Sequence, residues 1–64
     1  MNEEIFKGNW NEVKGKIKQQ WGKLTDQDMK DIEGNHQELY GKLQKHYGYG
    51  KDEVNKQLDK IKHS

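Results

Sequence analysis

The side chains able to do chemistry in this 64-residue chain are three histidines, eleven carboxylates, twelve lysines and a few hydroxyls. The histidines are His36, His46 and His63. None stands four residues from another histidine, and cysteine is absent, so the spacing that puts two metal ligands on one helical face does not occur. His36 is expected at the edge of a core, His46 in solvent and His63 in the tail. Outside tyrosine the hydroxyls are Thr25 and Ser64. Thr25 stands three residues before Asp28, the spacing of a helix cap, which accounts for it without a nucleophile's role. Asp26, Asp28, Asp31 and Glu33 cluster where a helix should begin, and the macrodipole accommodates acids there. A general acid needs burial to raise its pKa, and a chain this short offers little. No glycine-rich segment ends in the Lys-Ser/Thr of a phosphate loop. No enzyme active site, metal site or cofactor is expected.

The lysines pose a sharper question. Lys7, Lys14, Lys16, Lys18 and Lys23 give the first long helical segment a basic cast, relieved only by Glu12. Lys14, Lys16 and Lys18 are the candidate nucleic-acid contacts. The stretch Met29–Gly34, followed by a further helix, faintly resembles a helix-hairpin-helix module, whose turn holds phosphate on backbone N–H groups. Three features oppose that reading. Asp31 and Glu33 flank the turn and would repel phosphate. Arginine, which makes the commonest specific base contact, is missing. A net charge of +1 gives little counterion-driven affinity. Nucleic acid is therefore disfavoured and kept as the alternative.

The elements that position these groups follow from composition and periodicity. Disulfides are excluded and the core must be thin, so stability rests on regular helix packing, with the chain monomeric or weakly self-associating. Leu, Ile, Val and Phe together number 11 of 64, a share associated with disorder only when net charge is also high. Here lysines and acids nearly balance, and periodicity decides for folding. Phe6, Trp10, Val13, Ile17, Trp21 and Leu24 fall on one stripe at about 100° per residue. His36, Leu39, Leu43 and Tyr47 form a second stripe, and Val54, Leu58 and Ile61 a third. No segment alternates with period two, so strands are not expected. At helical spacing the aromatic residues read as core rather than stacking platforms, with Trp21 and Tyr47 substantially buried.

The chain also repeats itself at an offset of 26. Gly8, Asn9, Glu12, Gly15, Lys16, Gly22, Asp26 and Lys30 recur as Gly34, Asn35, Glu38, Gly41, Lys42, Gly48, Asp52 and Lys56. Val13, Ile17, Trp21 and Ile32 match Leu39, Leu43, Tyr47 and Leu58 in kind. Two similar units are implied, each a long helix followed by a shorter one. Asn9 with Glu12, Thr25 with Asp28 and Asn35 with Glu38 have capping-box spacing. Leu24 with Met29 and Tyr49 with Val54 have staple spacing. Gly22, Gly34 and Gly48 suit left-handed helix C-termini. Glu12–Lys16, Asp26–Lys30, Glu38–Lys42 and Asp52–Lys56 are spaced as stabilising pairs. Helices are expected near 9–22, 26–33, 35–47 and 51–62, after a short helical or frayed segment in 1–8. Met29, Ile32, His36, Leu39, Leu43 and Tyr47 also make one uninterrupted stripe, so a single helix over 26–47 stays open. Gly15 and Gly41 project away from the stripes, as solvent-facing positions or as a close contact with another chain.

Several strings resemble the bacterial CsbD-like family: Gly8-Asn9-Trp10, Lys14-Gly15-Lys16-Ile17-Lys18, Trp21-Gly22-Lys23-Leu24-Thr25, and Gly41-Lys42-Leu43-Gln44 ahead of Tyr47-Gly48-Tyr49. The resemblance runs to about Tyr49. It implies an all-α fold, a small four-helix bundle of two packed helical hairpins similar to the SAM-domain architecture. It implies production under general, osmotic or starvation stress, and supplies no catalytic or binding residues. High glycine content and a mean hydropathy of −1.49 resemble the hydrophilins, hydrated proteins associated with water deficit.

The expectation is one helical domain over 1–64 acting as a non-enzymatic stress-response protein, a hydrated protectant, with a helical module that binds nucleic acid or protein as the alternative. No apolar run approaches the roughly 20 residues of a membrane span, so membrane insertion is not expected. Met1-Asn2-Glu3-Glu4 lacks the basic-then-apolar order of a secretory signal, which points to the cytoplasm.

Overall fold

In a computed structural model, which describes residues 3–62, a short 3-10 segment, Glu3–Lys7, leads into four helices. These are α1 (Trp10–Gln20), α2 (Asp26–Gly34), α3 (Glu38–Tyr47) and α4 (Lys51–Lys62). No strand occurs among the described residues. The fold is the expected small all-α bundle.

Each apolar stripe supplies the core. Val13 and Ile17 from α1, Met29 and Ile32 from α2, Leu39 and Leu43 from α3, and Val54, Leu58 and Ile61 from α4 are buried. Trp21 and Leu24 from the first turn complete it, and Ile5 docks the 3-10 segment against α1 and α4. Trp21 is 1% exposed. Its partner in the repeat, Tyr47, is only half-buried, as is Trp10, so the second unit is less enclosed at this position than expected. Trp21 also hides its indole Nε1 without a hydrogen-bond partner, a cost of about 1–3 kcal/mol for a buried polar group.

The caps form in altered versions. At α2 the full box is present: Thr25 Oγ1 accepts from Asp28 N and Asp28 Oδ2 accepts from Thr25 N, both at 3.0 Å. The expected boxes at Asn9 and Asn35 do not form. Asn9 Oδ1 accepts from Asn11 N at 2.8 Å and Asn35 Oδ1 from Gln37 N at 3.0 Å, each two residues on, so Glu12 and Glu38 take no part. Asn35 is the extended C-cap of α2 (φ −148°, ψ 108°), and α3 begins at Glu38 rather than 35. The helix therefore breaks after Gly34.

Of the three glycines expected to be left-handed, Gly48 alone is, at φ 75°, with its N–H on Gln44 O at 2.9 Å. At the equivalent point Trp21 closes α1 (φ −129°, ψ 80°), because burying its ring and Leu24 turns the chain before Gly22. Of the four expected i,i+4 pairs, Glu12–Lys16 forms, at 3.8 Å. Asp26 instead reaches back to Lys18 and Lys42 crosses to α2, since a partner on another element lies nearer than one on the same helix.

Candidate functional site

The densest polar arrangement joins α2 to α3 and grows from the α2 cap. Asp28 is 7% exposed because it stands four residues before Ile32, at the margin of the buried stripe. Its Oδ2 accepts from Thr25 N and lies 3.0 Å from His46 Nε2. Its Oδ1 lies 3.5 Å from Lys42 Nζ, and the same ammonium reaches Asp31 Oδ2 at 2.9 Å. Lys42 and His46 are one turn apart on α3, so both face the first turns of α2. The Thr25 backbone N–H, chiefly, with the Thr25 hydroxyl and His46, holds the Asp28 carboxyl down at about 2 in spite of its burial. Lys42 likewise holds Asp31 below the usual carboxylate range, and the Asp31 bond raises Lys42.

His46 was expected in solvent and is instead half-buried against Asp28. The sequence carried a signal for this: His46 follows the buried Leu43 by three residues, so its ring points along the same margin. Thr25–Asp28 was readable as a cap, whereas its cross-helix partners were not. His36 sits at the core edge as expected, half-buried and stacked on Phe6 with ring centroids 3.9 Å apart. His63 lies outside the described residues.

Chemically the cluster is a clamp. Both Asp28 oxygens have partners, and the Thr25 hydroxyl accepts from the helix backbone. An imidazole beside a carboxylate becomes a base for catalysis when a nucleophile lies on its other side. No serine or cysteine does so among the described residues. Nor do three or more His, Asp or Glu side chains among them converge to hold a metal ion.

The three candidate lysines sit on α1 but do not share a face. Lys14 and Lys18 are four residues apart on one side, and Lys16 points to the other. Lys18 Nζ lies 2.8 Å from Asp26 Oδ1, a bond that, with nearby Lys14 and Lys30, lowers the Asp26 pKa. Lys16 Nζ lies 3.8 Å from Glu12. Lys23 instead covers the Tyr47 ring, 5.1 Å from its centroid, while its backbone N–H donates to Tyr47 Oη at 3.0 Å. Beside Glu12 and Lys16 a cleft of about 200 Å³ opens between the 3-10 segment, α1 and the end of α4, floored by Ile5, Val13 and Ile61. No helix among the described residues is long and apolar enough to cross a membrane.

A family model described as CsbD-like matches residues 4–56, and the chain belongs to that family. The UPF0337 protein YjbJ of Escherichia coli O6:H1 is 54% identical over 59 residues, covering 92% of this chain and 86% of the relative. The UPF0337 protein RPA4217 of Rhodopseudomonas palustris is 60% identical over 52 residues, 81% of this chain and 79% of the relative. The UPF0337 protein ECA0631 of Pectobacterium atrosepticum is 48% identical over 58 residues, 91% of this chain and 84% of the relative. No solved structure matches the chain.

Proposed function

We propose that this CsbD-like protein is a non-enzymatic, cytoplasmic stress-response protein that acts as a hydrated protectant of other macromolecules when water or nutrients are scarce. The observation that carries the reading is the contrast between a thin apolar core and a dense, charge-balanced surface. Charged residues make up 36% of the chain, yet net charge is +1. Such a surface keeps a water shell without a strong field of either sign, so it resists capture by one charged partner. Pairing of Lys16 with Glu12 and Lys18 with Asp26 supports this over the nucleic-acid alternative, because it offsets the cations a phosphate would need.

The test has two arms. Protein levels should rise in cells shifted to osmotic, heat or stationary-phase stress. The purified chain, dried together with unrelated labile enzymes, should preserve their activity better than an equal mass of an inert globular protein. Equal or worse preservation would remove the protectant reading.

A further inference from the structure

We propose that this chain exchanges halves with a second copy of itself, by straightening at Gly34–Gln37 so that α2 and α3 become one helix. The apolar phase is already continuous. Met29, Ile32, His36, Leu39, Leu43 and Tyr47 keep three- and four-residue steps straight through the turn, as in a single amphipathic helix. A turn imposed by sequence would interrupt that phase. This one does not.

Little holds the bend in place locally. Asn35 is extended, and the turn is closed by three i to i−3 backbone bonds: Glu38 N to Asn35 O (2.9 Å), Leu39 N to His36 O (3.1 Å) and Tyr40 N to Gln37 O (3.2 Å). Straightening replaces them with the i to i−4 bonds of a continuous helix, so no backbone group is orphaned. The α3 N-cap, Gln37, makes no side-chain cap bond, and the one side-chain bond in the turn is Asn35 Oδ1 with Gln37 N. Gly34 has no positive φ, and a Cβ added there would meet nothing within 4 Å. The bend needs no special residue at that point.

The contacts between halves are what close the monomer. Lys42 with Asp31, His46 with Asp28, and Tyr47 Oη with Lys23 N each join residues before the turn to residues after it. An exchange remakes every one of them between chains, which is why swapping costs little beyond the loss of a free particle. The occupant is set by this identity: only a second copy offers the same complementary half.

Refolding at millimolar protein lets a second chain compete with the closed form, since effective concentrations across short linkers lie in the millimolar range. Light scattering after size exclusion should then show a dimer, absent when refolding is dilute. Asn35→Ala removes the Asn35–Gln37 bond and favours helix at both hinges, and should tighten the dimer about tenfold. Gln37→Pro gives up the same Asn35–Gln37 bond, but its ring matches the bent backbone at φ −62° and breaks a continuous helix, so it should abolish the dimer while the monomer stays helical. In a dimer of mixed labelled and unlabelled chains, an isotope-filtered contact between the Lys23 amide and the Tyr47 ring should appear between chains. A strictly monomeric Asn35→Ala variant at millimolar concentration overturns the proposal. So does a dimer in which that contact stays within one chain.

Discussion

Asp28 Oδ2 lies 3.0 Å from His46 Nε2, so the residue that completes the α2 capping box also fastens α3. A local device and a tertiary contact therefore share one carboxylate, which should govern the acid response. Its folded pKa is about 2 against an ordinary 3.8. A depressed carboxylate contributes stability that is present above pH 3.8 and is lost as pH falls through about 2. Asp31 and Asp26 are shifted the same way and reinforce the trend. Melting temperature should fall between pH 4 and pH 2, and Asp28→Asn should flatten that slope while costing about 2 kcal/mol at neutral pH. An unchanged acid slope in Asp28→Asn would show that the carboxylate is not the hub.

Trp21→Ala should cost about 3–5 kcal/mol, enough to unfold a core this small. Trp21→Phe should cost far less than the lost volume suggests, because it also removes the unpartnered buried Nε1. Chemical denaturation of both variants checks the pair. Equal destabilisation by Ala and Phe would mean that the indole N–H has a partner in solution.

Gly22 and Gly48 occupy equivalent positions in the repeat but differ in backbone. Gly48→Ala should destabilise by about 1–2 kcal/mol, the cost of a Cβ in the left-handed region. Gly22→Ala should be neutral or mildly stabilising. Gly15→Ala and Gly41→Ala lie inside α1 and α3 with open space around the new methyl, and each should stabilise by up to about 1 kcal/mol. Thermal melts of the four variants should rank in that order, and a tolerated Gly48→Ala would contradict the C-cap.

Titration with duplex and single-stranded DNA should show no binding tighter than about 10⁻⁴ M at physiological salt, the weak end of non-specific affinity. Reversing Lys14, Lys16 and Lys18 to Glu should change little beyond loss of the Lys16–Glu12 and Lys18–Asp26 pairs. Micromolar, salt-sensitive binding abolished by that triple change would make those lysines a phosphate-binding surface and reverse the functional ranking.

Local and periodic information is legible in the sequence alone. The stripes placed Val13, Ile17, Trp21, Leu24, Leu39, Leu43, Val54, Leu58 and Ile61 in the core, because a 3.6-residue period leaves an apolar stripe only one way to face. Thr25 with Asp28 announced the start of α2, because a capping box closes within four residues and needs nothing from elsewhere. The Gly48 terminus and the span of α4 followed from the same short-range chemistry, whereas the division of 26–47 into two helices did not. Tertiary structure decided the rest. It broke the continuous stripe at Asn35, since folding α3 back onto α2 buries both apolar faces at the cost of one turn of helix. It ended α1 at Trp21 rather than on a left-handed Gly22, and drew Lys42 and His46 off their own helix and onto Asp28. The reason is common to all three. A side chain's nearest partner within a helix is fixed by sequence spacing, whereas its nearest partner overall depends on which helix the core brings alongside.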